Sequence, residues 1–415
     1  MTSNIKLYKT VLLLLLGTVA YAQTPVMSLD SVLNRISHDN SMLQEFEYRA
    51  RAQNAMAKGA RSQMAPMVGA GVFMYPYPGQ MKMEEDDAMY MTAIEQDITN
   101  PAKLKAREKY QLSKAAIEEA GRGMTFNQLR AQAKTAYFQW VVLEKKKSVL
   151  LENQRIMQFM LKLSKVRYPY NQSSLGSIYK AEGRLGEVEN MLTMTNSEME
   201  MKNIQLNMLM NLPPENRFQV DTTVQATVLA VLPDTSSISA ARSDIRQIDR
   251  TIESMQLNLR LENLQRKPDF GIRFENMMPR DRMMPQSFTL MGMVSIPIAP
   301  WSSKMYKANA TAMNLEIQGM RKGRENLLNE ARNMVASMAL ELQAKRTQVQ
   351  NYEKRIIPAL RRNYETTLLG YEQNTGQLPQ VIDAWEALNM AQMEYLNNLE
   401  QLYLIGVNYE KELEK

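Results

Sequence analysis

The spacing of apolar residues changes period several times along the chain, and those changes mark out its elements. Leu29, Val32, Leu33 and Ile36 recur at helical spacing, as do Ile245, Ile248, Ile252 and Met255 later in the chain. Ser28 stands where the N-cap of the first of these helices belongs. Downstream of each helix the period falls to two. Phe270, Ile272 and Phe274 alternate with Asp269, Gly271, Arg273 and Glu275. After a turn carrying Pro279, Arg280, Asp281 and Pro285, Phe288, Leu290, Val294 and Ile296 alternate with Thr289, Met291, Met293 and Ser295. A weaker copy lies earlier, with Val68, Ala70 and Val72 in one run and Tyr90 and Ile94 in the next, joined across Pro76, Pro78 and Gly79. Strand pairs are therefore predicted over 66–75 and 88–98, and over 268–276 and 287–297. Runs of about nine residues suit barrel strands that cross a bilayer. A half-buried soluble sheet would alternate in the same way, but paired hairpins in an otherwise helical chain favour the barrel.

The rest of the pattern is helical and long. Residues 102–167 and 302–370 contain a single internal proline, Pro358. At 1.5 Å per residue each segment extends about 100 Å, longer than a globular core uses, and such helices pack as coiled coils or bundles. Further helices are predicted over 174–212 and 379–412. In the last of them Val381, Trp385, Leu388, Tyr395, Leu399 and Leu402 follow heptad spacing, with a gap at Gln392. The interruptions between the long helices superimpose without gaps: Tyr168 on Tyr371, Asn171 on Asn374, Leu175 on Leu378, Ala181 on Ala384, Leu185 on Leu388 and Leu192 on Tyr395. This register divides the chain into two internal repeats, 23–220 and 236–415, each ordered as helix, strand pair and two long helices. A polar, β-branched linker over 221–235, next to Pro213-Pro214 and containing Pro233, joins them.

The N-terminus reads as an export signal over 1–22. Lys6 and Lys9 precede a short apolar core, Val11 to Leu16, and Ala20-Tyr21-Ala22 forms a small-x-small cleavage site. Removal would lower the net charge from +6 to +4. No later stretch approaches the roughly 18 continuous apolar residues of a membrane-spanning helix, so any insertion must use strands.

Composition narrows the chemistry. There is no Cys among the 415 residues, and His38 is the only histidine. These absences exclude disulfides, thiolate metal sites, a Cys nucleophile and an N-terminal lipid on Cys, as well as a His-rich metal centre and a Ser-His-Asp triad with a spare base. No glycine-rich phosphate loop is present. The basic residues are interspersed with acidic ones, whereas nucleic-acid binding needs a concentrated basic stripe. No cofactor, nucleic acid or catalytic residue is called for, and the chain is not expected to be an enzyme.

Helix, strand pair, long helix and tip, twice over, resembles the TolC family of outer-membrane efflux channels across nearly all of the mature chain. The second tip, Tyr371-Glu-Gln-Asn-Thr-Gly376-Gln-Leu378-Pro-Gln-Val-Ile-Asp383-Ala384, matches the family's periplasmic tip pattern. The strand exit Ser295-Ile-Pro297-Ile-Ala-Pro300-Trp301 does so too, echoed by Asp97-Ile98-Thr-Asn-Pro101. The resemblance implies a mainly α chain with a membrane β-barrel: a homotrimer pools four strands per chain into a 12-stranded barrel in outer-membrane lipid, above a long coiled-coil helical tube in the periplasm. A periplasmic adaptor (membrane fusion) protein and an inner-membrane RND-type pump would dock from beneath. The strand count independently demands pooling, because four strands alone would leave edges exposed to lipid. By the same resemblance Tyr371 and Asp383 stand where the family constricts its closed tip, and Tyr168, Asn171, Leu175, Gly176, Asn374, Gly376 and Leu378 are candidates for adaptor contact. Gly376 replaces the family's gating Arg and Gln380 a second Asp, so the closing network must differ. Tyr371 packed between coils with Asp383 solvated is the alternative reading of this pair.

Methionine adds a substrate class. The chain has 34, and thioether sulfur suits Cu(I), with Ag(I) expected to behave alike. Met81, Met83, Met277, Met278, Met283 and Met284 are expected in the hairpin connections at the outer mouth. Met89, Met91, Met291 and Met293 fall on the strand face that carries Thr289, Glu95 and Ser295, and are expected to face the lumen as weak metal contacts. Met is also a flexible filler of helical cores, which accounts for many of the rest. Together these readings anticipate a passive duct for copper or silver. A drug or protein exit duct of the same fold, a soluble periplasmic coiled-coil scaffold and a metal-storage protein are the alternatives.

Overall fold

The amphipathic segment after Ser28 folds as helix α1 (Leu29–Asp39), whose first turn is capped by the Ser28 hydroxyl accepting from the Ser31 N–H at 3.2 Å. The structure is a computed structural model and describes residues 25–75, 77, 79, 88–224, 235–280 and 284–414. The signal segment 1–22 and the central part of the 221–235 linker lie outside the described residues.

Where one amphipathic helix is expected, two form. Asn40 leaves the helical region (ψ 122°) and donates its side-chain amide to the Leu209 carbonyl at 2.8 Å, so α1 ends there and α2 (Ser41–Gly59) begins. The strands are β1 (Val26–Met27), β2 (Met67–Phe73), β3 (Met89–Ile98), β4 (Gln219–Val220), β5 (Asp269–Pro279) and β6 (Ser287–Ser295). The remaining helices are α3 (Pro101–Arg167), α4 (Leu175–Leu209), α5 (Thr235–Ala241), α6 (Ser243–Asn263), α7 (Pro300–Asn351), α8 (Ile357–Glu372) and α9 (Leu378–Leu413). The 67 residues of α3 run unbroken. The predicted helix over 302–370 does not, because a wide π-helical turn at Tyr352–Ile356 divides α7 from α8. Pro358 explains this: it lacks an N–H, and its ring would meet the carbonyl of Lys354 one turn back.

The residues form two compact units, and α3, α7 and α9 each run from one into the other. One comprises 1–40, 129–229 and 341–408. Its core is interhelical: Leu150, Met157 and Met160 of α3, Ala181 and Val188 of α4, Tyr364 and Tyr371 of α8, and Leu378, Val381, Trp385 and Leu388 of α9. The heptad face of α9 is thus buried against its own chain. A second cluster gathers Phe138, Val142, Val349, Leu399, Tyr403 and Val407. In the same unit β1 pairs parallel with β4, and the Tyr137 hydroxyl locks the pair by donating to Met27 O at 3.0 Å and accepting from the Asp221 N–H at 2.9 Å.

The other unit comprises 41–128, 230–340 and 409–415. Its helices pack closely. A Cβ on Gly121 would lie 3.0 Å from a Phe46 ring carbon and 3.2 Å from the Gln247 amide nitrogen, so a larger residue would have to push these side chains aside. Buried Arg242 holds Asp244 through both carboxylate oxygens and also binds Glu412. Four antiparallel strands in the order β2-β3-β5-β6 form this unit's sheet, and among the described residues its edges β2 and β6 have no further strand beside them.

Candidate functional site

The register of the sheet assigns every strand residue to a face, because directly paired residues share one. One rung runs Val68, Ile94, Phe274, Leu290; its neighbours contribute Tyr90, Phe270, Ile272, Phe288 and Val294 to the same side. That face is mainly apolar, with Thr92, Gln96 and Asn276 as polar members, and the chain leaves it bare: Val68 is 76% exposed, Leu290 66% and Phe288 70%. Phe274 and Phe288 stack with ring centres 5.9 Å apart.

The opposite face is built of charge, glycine and methionine. Its rungs are Met67–Glu95–Arg273–Met291, Gly69–Ala93–Glu275–Thr289, Gly71–Met91–Met277–Ser287 and Asp97–Gly271–Met293. Arg273 pairs with Glu275 at 2.6 Å and with Glu95 at 3.7 Å, so charges are matched along the strands. Lys103, at the start of α3, holds Asp269 at 2.6 Å, and the Asn100 N–H donates to the same carboxylate at 2.9 Å.

The two helical tips share one turn. Asn171 and Asn374 both take the left-handed conformation at φ +61°, which asparagine tolerates better than most residues. Asn171 N donates to Tyr168 O at 3.0 Å and Asn374 N to Tyr371 O at 3.1 Å; Gln172 N and Thr375 N close back on Arg167 O and Gly370 O at 3.2 and 2.9 Å. Ser174 then caps α4 by accepting from the Ser177 N–H at 3.1 Å.

Arg167 ties the tips together. Its guanidinium lies 4.5 Å from the centre of the Tyr371 ring and donates to the carbonyls of Tyr371 and Glu372 at 2.6 and 3.0 Å, capping the negative end of α8. Tyr371 is buried, with a hydroxyl that has no partner among the described residues. On the facing helices Lys180 binds Asp383 at 2.7 Å, and Arg184 binds Glu386 at 2.7 Å and Glu187 at 2.7 Å. The two carboxylates hold the Arg184 guanidinium even more firmly protonated than usual.

Of the anticipated tip residues, Tyr168, Asn171, Leu175, Gly176 and Asn374 are exposed and Gly376 is half-buried. Leu378 is buried in the core although its counterpart Leu175 is 44% exposed. Tyr371 packs under Arg167, and Asp383 is engaged by Lys180. Among the methionines, Met89, Met91, Met291 and Met293 share the polar face, and Met277 joins them. β5 continues to Pro279, so Met277 and Met278 belong to the strand and not to the connection, and Met278 falls on the apolar face, paired with Tyr90. Met284 is half-buried, whereas Met81, Met83 and Met283 lie outside the described residues. Sequence reasoning missed Arg167, Lys180 and Arg184. The separation of 203 that aligns the tips also joins Lys180 to Asp383, so opposite charges at equivalent positions were the available signal.

No protein-family model matches the sequence, and no curated protein does. Solved structures do match. The outer-membrane protein VceC of Vibrio cholerae is similar at TM-score 0.71 and 14% identity, over 93% of this chain and 95% of that one. The Campylobacter jejuni CmeC outer-membrane channel gives 0.73 and 13%, over 93% and 85%. CusC, whose structures concern folding and transmembrane channel formation, gives 0.75 and 13%, over 93% and 91%. At such identity the shared property is the fold.

Proposed function

We propose that this chain is the outer-membrane channel component of a tripartite efflux system, passively conducting substrate delivered by a periplasmic adaptor and an inner-membrane RND-type pump. One observation carries the reading: a sheet with both edges unpaired among the described residues bears an apolar, aromatic face that the chain does not cover, and a charge-matched face behind it. In water such a face is a liability. In lipid it is the outer wall of a barrel, and the polar face is the lumen. Pooling with copies of itself, as a homotrimer, removes the edges. The soluble-scaffold reading gives that apolar face no role.

In this reading the tips are the periplasmic end, with Arg167 and Lys180 fastening Tyr371 and Asp383 in the closed state, and the exposed tip residues receive the adaptor on the support of buried Leu378. Because Lys180 offsets Asp383, the constriction selects cations less sharply than a bare carboxylate ring. The cargo we assign is Cu(I) or Ag(I), since Met91, Met277, Met291 and Met293 present thioethers to the conducting side, where lipid avoidance gives methionine no advantage. Deletion of the gene is expected to raise sensitivity to copper and silver. Unchanged metal tolerance with heightened drug sensitivity would reassign the cargo, and recovery of the protein in a detergent-free periplasmic extract would remove the channel reading altogether.

A further inference from the structure

At the end of the sheet that leads into α3 lies an open cavity of about 400 Å³, whose lining includes Met64, Glu95, Asp97, Asp269, Gly271 and Met293. Its middle is set by a missing side chain. In the rung Asp97–Gly271–Met293 the central residue is glycine, so the outer two close over it: a Cβ there would lie 3.1 Å from the Met293 methyl and 3.5 Å from an Asp97 carboxylate oxygen. The carboxylates of this wall are not equivalent. Asp269 is held by Lys103 and Asn100, and Glu95 faces Arg273. The Asp97 carboxylate makes no hydrogen bond or ion pair among the described residues. Nor is this a hard-ligand cage, because no three His, Cys, Asp or Glu side chains among the described residues are placed to hold a metal ion. The Met293 side chain and the Asp97 carboxylate flank Gly271, and Met64 lines the same cavity.

We propose that Met64, Met293 and Asp97 form a transit site for one soft monovalent cation, Cu(I) or Ag(I), with Gly271 as the residue that lets Met293 and Asp97 approach each other. The sulfurs supply the soft donors, which hold such ions and discriminate against Ca²⁺ and Mg²⁺, whose sites are built of oxygen. Asp97 supplies the compensating charge. Three donors of which one, Met64, is largely exposed make a weak, quickly exchanging site, as conduction requires. The proposal rests on the polar face being the wall of the duct, and its test reads binding, not conduction, so the two can fail separately.

The test is peroxide footprinting of the full, detergent-solubilised protein, with the sulfoxide at each methionine followed by mass spectrometry, with and without silver nitrate in chloride-free buffer. A coordinated thioether resists oxidation, so one equivalent of silver per chain is expected to slow Met64 and Met293 about fivefold and leave exposed Met194 and Met208 of α4 unchanged. Met293→Leu should abolish the protection of Met64. Asp97→Asn should raise the silver concentration needed by about tenfold, and Gly271→Ala should do the same by wedging Met293 away from Asp97. Silver that leaves both oxidation rates unchanged in the parent protein overturns the site without recourse to a variant. So does equal protection of Met194, or protection indifferent to Met293→Leu. Protection in a protein that conducts no ions would keep the site and refute the duct; conduction without protection would do the reverse.

Discussion

Adjacent residues Leu290 and Met291 separate the membrane reading from any soluble one. Both sit near the middle of β6, and in the single chain their exposures are similar, 66% and 47%. Their faces are opposite: Leu290 completes the rung Val68–Ile94–Phe274, while Met291 completes Met67–Glu95–Arg273. If both faces met water, arginine at either position would be a surface substitution within about 0.5 kcal/mol of neutral. If the apolar face meets lipid, Leu290→Arg places a charge near the bilayer midplane at a cost of about 2–4 kcal/mol per chain, a factor of roughly 30 to 1,000 in the folding equilibrium. Met291→Arg joins a wet, charged lumen and should cost under about 1 kcal/mol, with some repulsion from Arg273 offset by Glu95 and Glu275. The assay is folding into lipid vesicles across a denaturant series, with the heat-dependent gel shift of folded barrels as readout. The prediction is a lowered midpoint for Leu290→Arg alone. Equal effects of the two substitutions would refute the assignment of faces, and with it the barrel.

Four further expectations follow from the helical units. Arg167→Ala removes two charge-assisted bonds to the end of α8 and the stack on Tyr371, so amide exchange over 369–374 should quicken by roughly tenfold or more, corresponding to about 1.5–3 kcal/mol, with little change in global melting. Asn153→Ala strands the buried Trp385 indole N–H and the half-buried Asn389 side-chain carbonyl, each bonded to Asn153 at 2.9 Å, and should lower stability by about 2–4 kcal/mol in thermal denaturation. Arg242→Met leaves Asp244 and Glu412 without their shared cation and should cost about 3–5 kcal/mol, a loss that Asp244→Asn and Glu412→Gln together partly reverse. Burial pushes Tyr364 up to about 12, while an unfolded tyrosine titrates near 10, so the folded state keeps this proton longer. Its contribution of about 3 kcal/mol is complete below pH ~10 and is lost as the pH rises to ~12; Tyr364→Phe should flatten that alkaline decline in melting temperature.

What the sequence made legible follows from how local each determinant is. Alternation of Phe270, Ile272 and Phe274 against Asp269, Arg273 and Glu275 marks β5 and its faces without reference to any other strand. The left-handed Asn171 and Asn374 announce their turns in the same way. Less was legible where a second signal competed. Met277-Met278-Pro279 reads as turn because proline closes it, yet the ladder to β3 carries the strand through all three residues. The two-residue bridge of β1 to β4 has no pattern to read, and it depends on Tyr137, 110 residues from Met27. Tip chemistry was hidden for the same reason: Arg167 meets Tyr371 across 204 positions, and nothing near Arg167 distinguishes it from the other basic residues at that end of α3. The space above Gly271 is a property of three strands in register, invisible in any one of them.

The central claim is that the chain's four strands are completed by other copies in lipid. Native mass spectrometry of the protein extracted from cell envelopes tests it most directly. The account predicts that release requires detergent and that the complex has three times the mass of the mature chain. A single chain, released into buffer without detergent and remaining monomeric, would contradict it.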